Sequence, residues 1–522
     1  MDDKNIQISL SGRINSDNAA STEKNIMDQL AGKDVSSVVL DASELDYISS
    51  AGLRLILRLK KRYPDLKISN VNSEVYEILD MTGFTEMMTV EKAYRLVSVE
   101  GCEEIGRGAN GVLYRIDQDN VVKVYTNTDA LEDIRHEREV AKLALILGIP
   151  TAISYDVVKV GESYGSVFEL LNAKSFSKII ASEPEKMDWC VNEYVSLMKR
   201  ITSTEVPEGK LPDMKKIVLK WAHFMKDYLP EEAGDKLVRL VEAVPEDNHM
   251  IHGDYHTNNL ELQNDEVILI DMDTLAVGHP IFELASVYNA YVGFYEIDKE
   301  GIMQFQGFDA ETGHKFWRKA LSAYLGTNCE TKLKEVEDKA RIVGYARLIR
   351  RSIRRKGLET EEGRAEIECW KQELVNLLNK TDTLLFNPNE LEIMAVTDNL
   401  AEVQAFVEDW LTAMDCPLKA QMQIGVAVEE IFVNIANYAY APDQGIATVR
   451  VEISEDPLVV TITFVDHGIP YDPLAKDDPD VTLPAQERMI GGLGIFMTKK
   501  MMDNVAYEYK DGSNILTLKK NL

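Results

Sequence analysis

The sequence predicts a multidomain chain of mixed α/β and α+β class, and three observations lead there. At 522 residues the chain is too long for a single hydrophobic core. Strand-like runs, from the alternating Ile6, Ile8 and Leu10 to Val460, Ile462 and Phe464, recur between stretches of helical period. The pattern changes near residue 98 and again at Phe386-Asn387-Pro388-Asn389, dividing the chain into 1–97, 98–385 and 390–522.

Composition narrows the class before any motif is read. With 45% hydrophobic and 28% charged residues, the chain has the make-up of a globular protein. It holds no run of eighteen apolar residues and no leader pattern at its start, so the expected compartment is the cytosol, away from membranes. Cys102, Cys190, Cys329, Cys369 and Cys416 are scattered and odd in number, which fits reduced thiols. A formal charge of −30 argues against binding a nucleic-acid backbone. The basic run Arg347 to Lys356 is the exception, and such runs are ordinarily solvated helix faces, with docking as the alternative.

In the first segment, Val38-Val39-Leu40 reads as a buried strand. After it Tyr47-Ile48-Ser49-Ser50-Ala51-Gly52-Leu53 leads into a helix through Leu55, Leu57 and Leu59, closed by Lys60-Lys61-Arg62. A serine at such a strand-to-helix junction is ordinarily a helix cap. Val38 to Leu57 resembles the STAS domain of anti-sigma factor antagonists, a sheet with helices. The resemblance implies that Ser50 holds the position of the phosphorylated serine, while Ser49 stands where the family commonly has Asp. A phosphate there would add roughly −1.5 to −2 charges at a helix N-terminus, where the helix dipole tolerates it and an acidic partner surface would not.

The central segment opens with Gly106, Gly108 and Gly111 in a G-x-G-x-x-G pattern, followed within one hairpin by the strand that bears Lys123. This is the arrangement of a phosphate-covering loop and a phosphate-pairing lysine. The helix from His136 to Leu143 offers an acid to pair with that lysine: Glu139 is the choice, with Glu137 as the alternative. Further on, Asp254 precedes Asn259 by five positions, and a short apolar strand ends in Asp271. That spacing suits phosphoryl transfer, with Asp254 taking the proton of an attacking hydroxyl and Asn259 and Asp271 holding Mg²⁺ against the phosphates of ATP. From Gly106 to Ala285 the chain resembles the aminoglycoside phosphotransferase and choline kinase-like family, which implies a bilobal protein-kinase-like fold. It departs at His279 and Glu283, where the family usually has Asp, so His279 is read as structural. The resemblance places acceptor choice in residues 286–383. Tyr288, Tyr291, Phe294, Tyr295 and Trp317 are candidates to line a pocket there, although residues at such spacing are more often core.

In the last segment Val403, Phe406, Val407, Trp410 and Leu411 mark one amphipathic helix, and Ile424, Val428, Ile431 and Ile435 a second. Glu430 and Asn434 sit one turn apart on another stripe of the second helix. A strand then ends at Asp466-His467-Gly468, and Gly491, Gly492 and Gly494 open a further helix. Glycines at a helix entrance let backbone N–H groups approach phosphates. This half resembles the GHKL ATPases of the Bergerat-type α/β sandwich, most closely the anti-sigma factor serine kinases. The resemblance implies Glu430 as general base, Asn434 as Mg²⁺ ligand, Asp466 as the adenine contact, and Gly468, Gly491, Gly492 and Gly494 as nucleotide-loop glycines. Pro470 and Tyr438 depart from the family's glycine and histidine.

Together the three resemblances imply an ATP-dependent partner-switching regulator, in which the C-terminal segment phosphorylates Ser50 or the serine of a separate antagonist. Implied partners are anti-sigma and antagonist-type proteins and a sigma factor, with a homodimer by analogy. The alternatives are a kinase of small alcohols or amines with regulatory appendages, or a nucleotide-binding scaffold.

Overall fold

The computed structural model describes residues 5–32, 37–108, 110–171, 173–455, 457–475 and 493–522. They form two compact units, one of residues 1–139 with 152–171 and one of residues 140–151 with 172–522. Among the described residues no helix is long and apolar enough to cross a membrane. All five cysteines are free thiols.

The first unit opens with strand β1 (Asn5–Ile14), helix α1 (Ala19–Leu30), β2 (Ser37–Ile48), α2 (Ser50–Arg62), β3 (Lys67–Val71), α3 (Ser73–Met81), α4 (Phe84–Met87) and β4 (Val90–Lys92). The four strands pair in parallel in the order β1-β2-β3-β4. Parallel neighbours need crossovers, and the helices supply them. Helix α2 buries Leu55, Ile56 and Leu59. Its second residue past the start must be small: a Cβ on Gly52 would lie 2.6 Å from Ile48 Cγ1 and 2.9 Å from Ile14 Cγ2.

The same unit holds a six-stranded sheet in the order β5-β9-β10-β8-β7-β6, made of β5 (Arg95–Leu96), β6 (Glu103–Arg107), β7 (Gly111–Arg115), β8 (Asn120–Tyr125), β9 (Asp156–Val160) and β10 (Ser163–Glu169), with α5 (Leu131–Ile146) between β8 and β9. Strand β5 runs parallel to β9, Arg95 pairs with Asp156 at 3.0 Å, and Tyr94 meets Tyr164 edge to face at 5.1 Å. The residues just before 98 are thus tied into the sheet that follows them.

The second unit continues with β11 (Lys174–Ser175), α6 (Phe176–Ser182), α7 (Met187–Thr202), α8 (Met214–Met225), α9 (Glu231–Glu242), β12 (Met250–Ile251), β13 (Leu260–Gln263), β14 (Glu266–Leu269), β15 (Ala276–Val277), α10 (Pro280–Tyr291), α11 (Gly301–Gln306), α12 (Ala310–Leu325), α13 (Glu330–Arg355) and α14 (Glu361–Lys380). Its core surrounds α10, which is buried along nearly its whole length, including the polar stripe of Glu283, Ser286 and Asn289. Tyr288, Tyr291 and Trp317 lie in that core, in keeping with their spacing.

The last part of this unit comprises β16 (Glu390–Met394), α15 (Leu400–Ala413), α16 (Leu418–Asn434), β17 (Ile446–Glu455), β18 (Leu458–Asp466), α17 (Leu493–Met501), β19 (Asn504–Lys510) and β20 (Ser513–Asn521). The strands form one antiparallel sheet in the order β16-β17-β18-β20-β19. One face buries Val449, Val451, Ile462, Phe464 and Leu518 with Phe406, Val428 and Phe432 of α15 and α16. The alternation of each strand sets which side chains reach that layer. The turn before α13 is pinned to α15, since Asp409 accepts from Thr327 Oγ1 at 2.8 Å and from the Asn328 N–H at 2.7 Å.

Candidate active sites

At the end of β2 the chain turns into α2 through Ser49, whose extended backbone and side chain make it the cap: its Oγ accepts from the Ala51 N–H at 3.2 Å. Ser50, the first helical residue, is exposed, and its hydroxyl has no hydrogen-bond partner among the described residues. Of the two adjacent serines, one is consumed by the helix and the other presents its oxygen at the helix N-terminus.

In the six-stranded sheet, Gly108 and Gly111 close the β6–β7 turn, the Gly108 N–H donating to the Gly111 carbonyl at 2.9 Å. A Cβ on Gly111 would strike the Val124 carbonyl oxygen, which fixes glycine there. Gly106 lies within β6, and Lys123 stands on β8. The carboxylate that meets Lys123 is Glu137, at 2.9 and 3.1 Å, and Glu137 also accepts from Tyr125 Oη at 2.6 Å. This corrects the expectation of Glu139, which is exposed. The reason is helical phase: Glu137 shares a stripe with the buried Ile134 and Ala141, three and four residues away, while Glu139 is rotated about 200° from it.

The loop after β12 gathers several of the second unit's buried and charged side chains. His252 is fully buried and its Nδ1 accepts from the Asp254 N–H at 3.3 Å; burial holds its pKa down at about 4 against the pull of Asp254, so the ring is neutral. Gly253 has φ of +77°, and a Cβ there would lie 3.0 Å from the Thr274 carbonyl. Glu283, buried in α10, accepts from the His252 and Gly253 N–H groups through Oε2, while Oε1 has no partner. Burial, opposed by those two N–H groups, raises its pKa to about 7. From α13, Arg347 donates to the Gly253 carbonyl at 2.9 Å and to Ser286 Oγ at 3.0 Å, with Nη2 at 3.8 Å from Asp254 Oδ1. The basic run is therefore not a plain solvated face.

Asp254 itself is 44% exposed at its side chain. Burial favours its neutral form, but His256 at 3.6 Å, Arg347 and His252 outweigh that and bring its pKa down to about 2. Asn259 Nδ2 donates to the Asp254 carbonyl at 3.0 Å, and the Asn259 carbonyl accepts from the Ile270 N–H at 2.9 Å. One strand and one loop are so joined that Asp254, Asn259 and Asp271 are held in one assembly. Asp271 is exposed and adopts φ of +62°, a backbone state that costs a non-glycine residue of order 1 kcal/mol and concentrates at functional sites. Among the described residues no group of three or more His, Cys, Asp or Glu is placed to hold a metal. Mg²⁺ fits this donor set all the same, because it is commonly held by one or two carboxylates together with substrate phosphates. His279 caps α10, its Nδ1 accepting from the Ile281 N–H at 3.2 Å, as its structural reading required.

In the C-terminal sheet, Asp466 ends β18 and is buried; its Oδ1 accepts from the Gly468 N–H at 2.9 Å and from Asn514 Nδ2 at 2.8 Å. Oδ2 has no partner among the described residues and is the atom left to accept from a ligand amino group. Asn514 escaped the sequence reading. It faces Asp466 across the β18–β20 ladder, and its Oδ1 accepts from the Tyr471 N–H and Tyr507 Oη. Only the strand register could have revealed it. Glu430 and Asn434 are half-buried at the end of α16, which runs into one wider π-helical turn, Ile435–Ala439. Such turns favour functional sites. A Cβ on Gly468 would strike the Ala439 carbonyl, and one on Gly494 the Glu430 carboxylate. Gly491 and Gly492 lie outside the described residues.

Comparison with known proteins follows the same three segments. Residues 2–96 match the STAS domain, 101–317 the phosphotransferase enzyme family, and 393–520 the histidine kinase-like ATPase domain. BtrV of Bordetella bronchiseptica, whose name assigns it to the anti-sigma factor antagonists, is 36% identical over 85 residues, 16% of this chain and 72% of BtrV. The serine/threonine-protein kinase BtrW of the same organism is 26% identical over 144 residues, 27% of this chain and 93% of BtrW. The serine-protein kinase RsbW of Bacillus mycoides is 23% identical over 138 residues, 26% of this chain and 85% of RsbW.

Proposed function

Because the chain belongs to the anti-sigma factor antagonist family through its STAS domain, and carries phosphotransferase and histidine kinase-like ATPase domains behind it, we propose that it is a cytosolic ATP-dependent partner-switching kinase whose C-terminal domain phosphorylates Ser50 or the matching serine of a separate antagonist. The observation that carries this reading is the division of labour between two adjacent serines: Ser49 caps α2, and Ser50 is exposed, its hydroxyl unbonded among the described residues. On the same chain, Glu430, Asn434 and Asp466 supply a base, a metal ligand and an adenine acceptor. Tethering puts donor and acceptor domains at effective concentrations in the millimolar range, so a free partner competes with an internal one. Partners of this kind are an anti-sigma or antagonist protein and, through it, a sigma factor.

The phosphotransferase domain is read as a second ATP-dependent kinase. Lys123 with Glu137 would hold nucleotide phosphates, and Asn259 and Asp271 would hold Mg²⁺, which neutralises phosphate charge when bound. Asp254 would take the acceptor's proton. Its low pKa keeps it ionised and ready at neutral pH.

The test is peptide-level mass spectrometry of the full chain after incubation with Mg²⁺ and ATP, beside Ser50→Ala, Glu430→Ala and Asp254→Ala. One phosphate on Ser50, lost in Glu430→Ala and kept in Asp254→Ala, is the expected result. Loss only in Asp254→Ala transfers the serine-kinase role to the central domain. An unmodified Ser50 in every sample, together with no transfer to an added antagonist, overturns the reading.

A further inference from the structure

The second half of α13 has an unusual charge balance for this chain. From Lys339 to Lys356 it contains no acid, although the whole chain is at −30. Arg341, at the start of that stretch, is matched by Asp338 at 3.1 Å and Glu373 at 2.9 Å. Beyond it Lys356 meets Glu366 at 2.7 Å, but the arginines between them are poorly matched. Arg350, Arg351, Arg354 and Arg355 form no ion pair among the described residues, and Arg347 has only Asp254, at 3.8 Å.

These residues are not arranged as a loose solvated fringe. Arg347, Arg351 and Arg354 recur at four and three positions, so they share one stripe of the helix. Three aromatic rings support the guanidinium groups: Trp221 lies 5.9 Å from Arg347, Phe224 6.0 Å from Arg350, and Phe294 4.5 Å from Arg351. Arg347 is committed to the Gly253 carbonyl and Ser286, and so acts on the loop. Arg351, one turn further on, is exposed and seated on its ring, with no ion pair among the described residues. A guanidinium held in this way offers a planar fork of N–H donors matched to phosphate or carboxylate.

We propose that the acceptor of the central kinase is a small hydroxyl compound bearing a fixed anionic group, a phosphate or a carboxylate, which Arg351 binds with help from Arg350 and Arg354 while the hydroxyl faces Asp254. This rests on reading the central domain as a phosphotransferase, and it sets the acceptor apart from the cationic class that the acidic overall balance would favour. The acceptor oxygen forms a bond to the γ-phosphorus of ATP as the bond from that phosphorus to the bridging oxygen breaks. The hydroxyl proton passes to Asp254, and the products are ADP and a phosphate monoester. Arg351 does not touch the reacting atoms; it orients the acceptor.

The experiment uses the full chain with both nucleotide sites filled by Mg²⁺ and a non-hydrolysable ATP analogue, and follows binding by calorimetry. The probes are glycerol, glycerol 3-phosphate, glycerate and ethanolamine. The expected result is binding of one or both anions at least about tenfold tighter than glycerol, a loss of at least about tenfold in Arg351→Glu, and partial retention in Arg351→Lys. Glycerol 3-phosphate against glycerate separates phosphate from carboxylate recognition. Tighter binding of ethanolamine, anion binding unchanged in Arg351→Glu, binding of poly-glutamate in place of the small anions, or no anion binding at all each overturns the proposal. The nucleotide count tests the underlying reading separately: two analogues per chain, falling to one with Asp271→Ala, support a central kinase, and a single site indifferent to Asp271 removes it.

Discussion

Arg347 and Asp254 are joined twice, through a guanidinium nitrogen 3.8 Å from the Asp254 carboxylate and through a 2.9 Å hydrogen bond to the carbonyl of Gly253, the residue just before it. A helix more than ninety positions downstream in sequence thus acts on both the carboxylate and the backbone of the loop that carries Asp254, the proposed base. Four consequences can be measured.

Replacing Arg347 by Met should lower slow Mg²⁺-ATP hydrolysis by the central domain about 10- to 100-fold, since small displacements of a catalytic group are costly. The buried Gly253 carbonyl would keep only Ser286, at a cost of roughly 1–3 kcal/mol in urea unfolding. Assayed in a Glu430→Ala background, an unchanged rate would remove Arg347 from the list of positioning residues.

Glu283→Gln should change how stability depends on pH. The folded carboxyl titrates at about 7 against an ordinary 4.5, so the neutral form is favoured in the native state. The stabilisation is complete below 4.5 and is lost as pH rises through 7. Glutamine does not titrate, so the variant should gain on the wild type between pH 5 and 7, by on the order of 2–3 kcal/mol. Parallel unfolding curves at both pH values would contradict the assignment.

Glu137→Gln and Glu139→Gln should separate cleanly. The first breaks the 2.9 Å pair with Lys123 and should weaken nucleotide binding to the central domain by about tenfold. The second touches an exposed side chain and should be silent. Fluorescent-nucleotide titration of the two variants reads this directly, and equal losses would return the choice between the acids to an open state.

Asn514→Leu should weaken nucleotide binding at the C-terminal site by about tenfold or more, because Asp466 loses the 2.8 Å donor that fixes its free oxygen. Gly494→Ala should act on turnover instead, since the new methyl would occupy the place of the Glu430 carboxylate. Calorimetry beside phosphoryl-transfer assays distinguishes the two, and normal affinity in Asn514→Leu would show that Asp466 needs no such support.

Much of the site was legible in the residue order because its groups are set by local spacing. Asp254 and Asn259 sit within one loop and Asp271 just past the β13–β14 hairpin that follows it, Glu430 and Asn434 within one helical turn, and Gly106 to Gly111 within one hairpin. Short spacing on a single element determines geometry almost alone. The serine pair at the head of α2 belongs here too, although the sequence left open which of the two was the cap.

What the sequence could not decide depended on which remote surfaces meet. Helical phase against the packed core chose Glu137 over Glu139, and strand register placed Asn514 opposite Asp466. The position of α13 in the fold turned a basic run, expected to be solvated, into a support for the loop that carries Asp254 and a row of guanidinium groups without ion pairs among the described residues. Those outcomes follow from burial and hydrogen-bond satisfaction summed over the whole unit, which no local spacing encodes. Residue order set which reactive side chains lie near one another along the chain, and tertiary packing set which partners they meet.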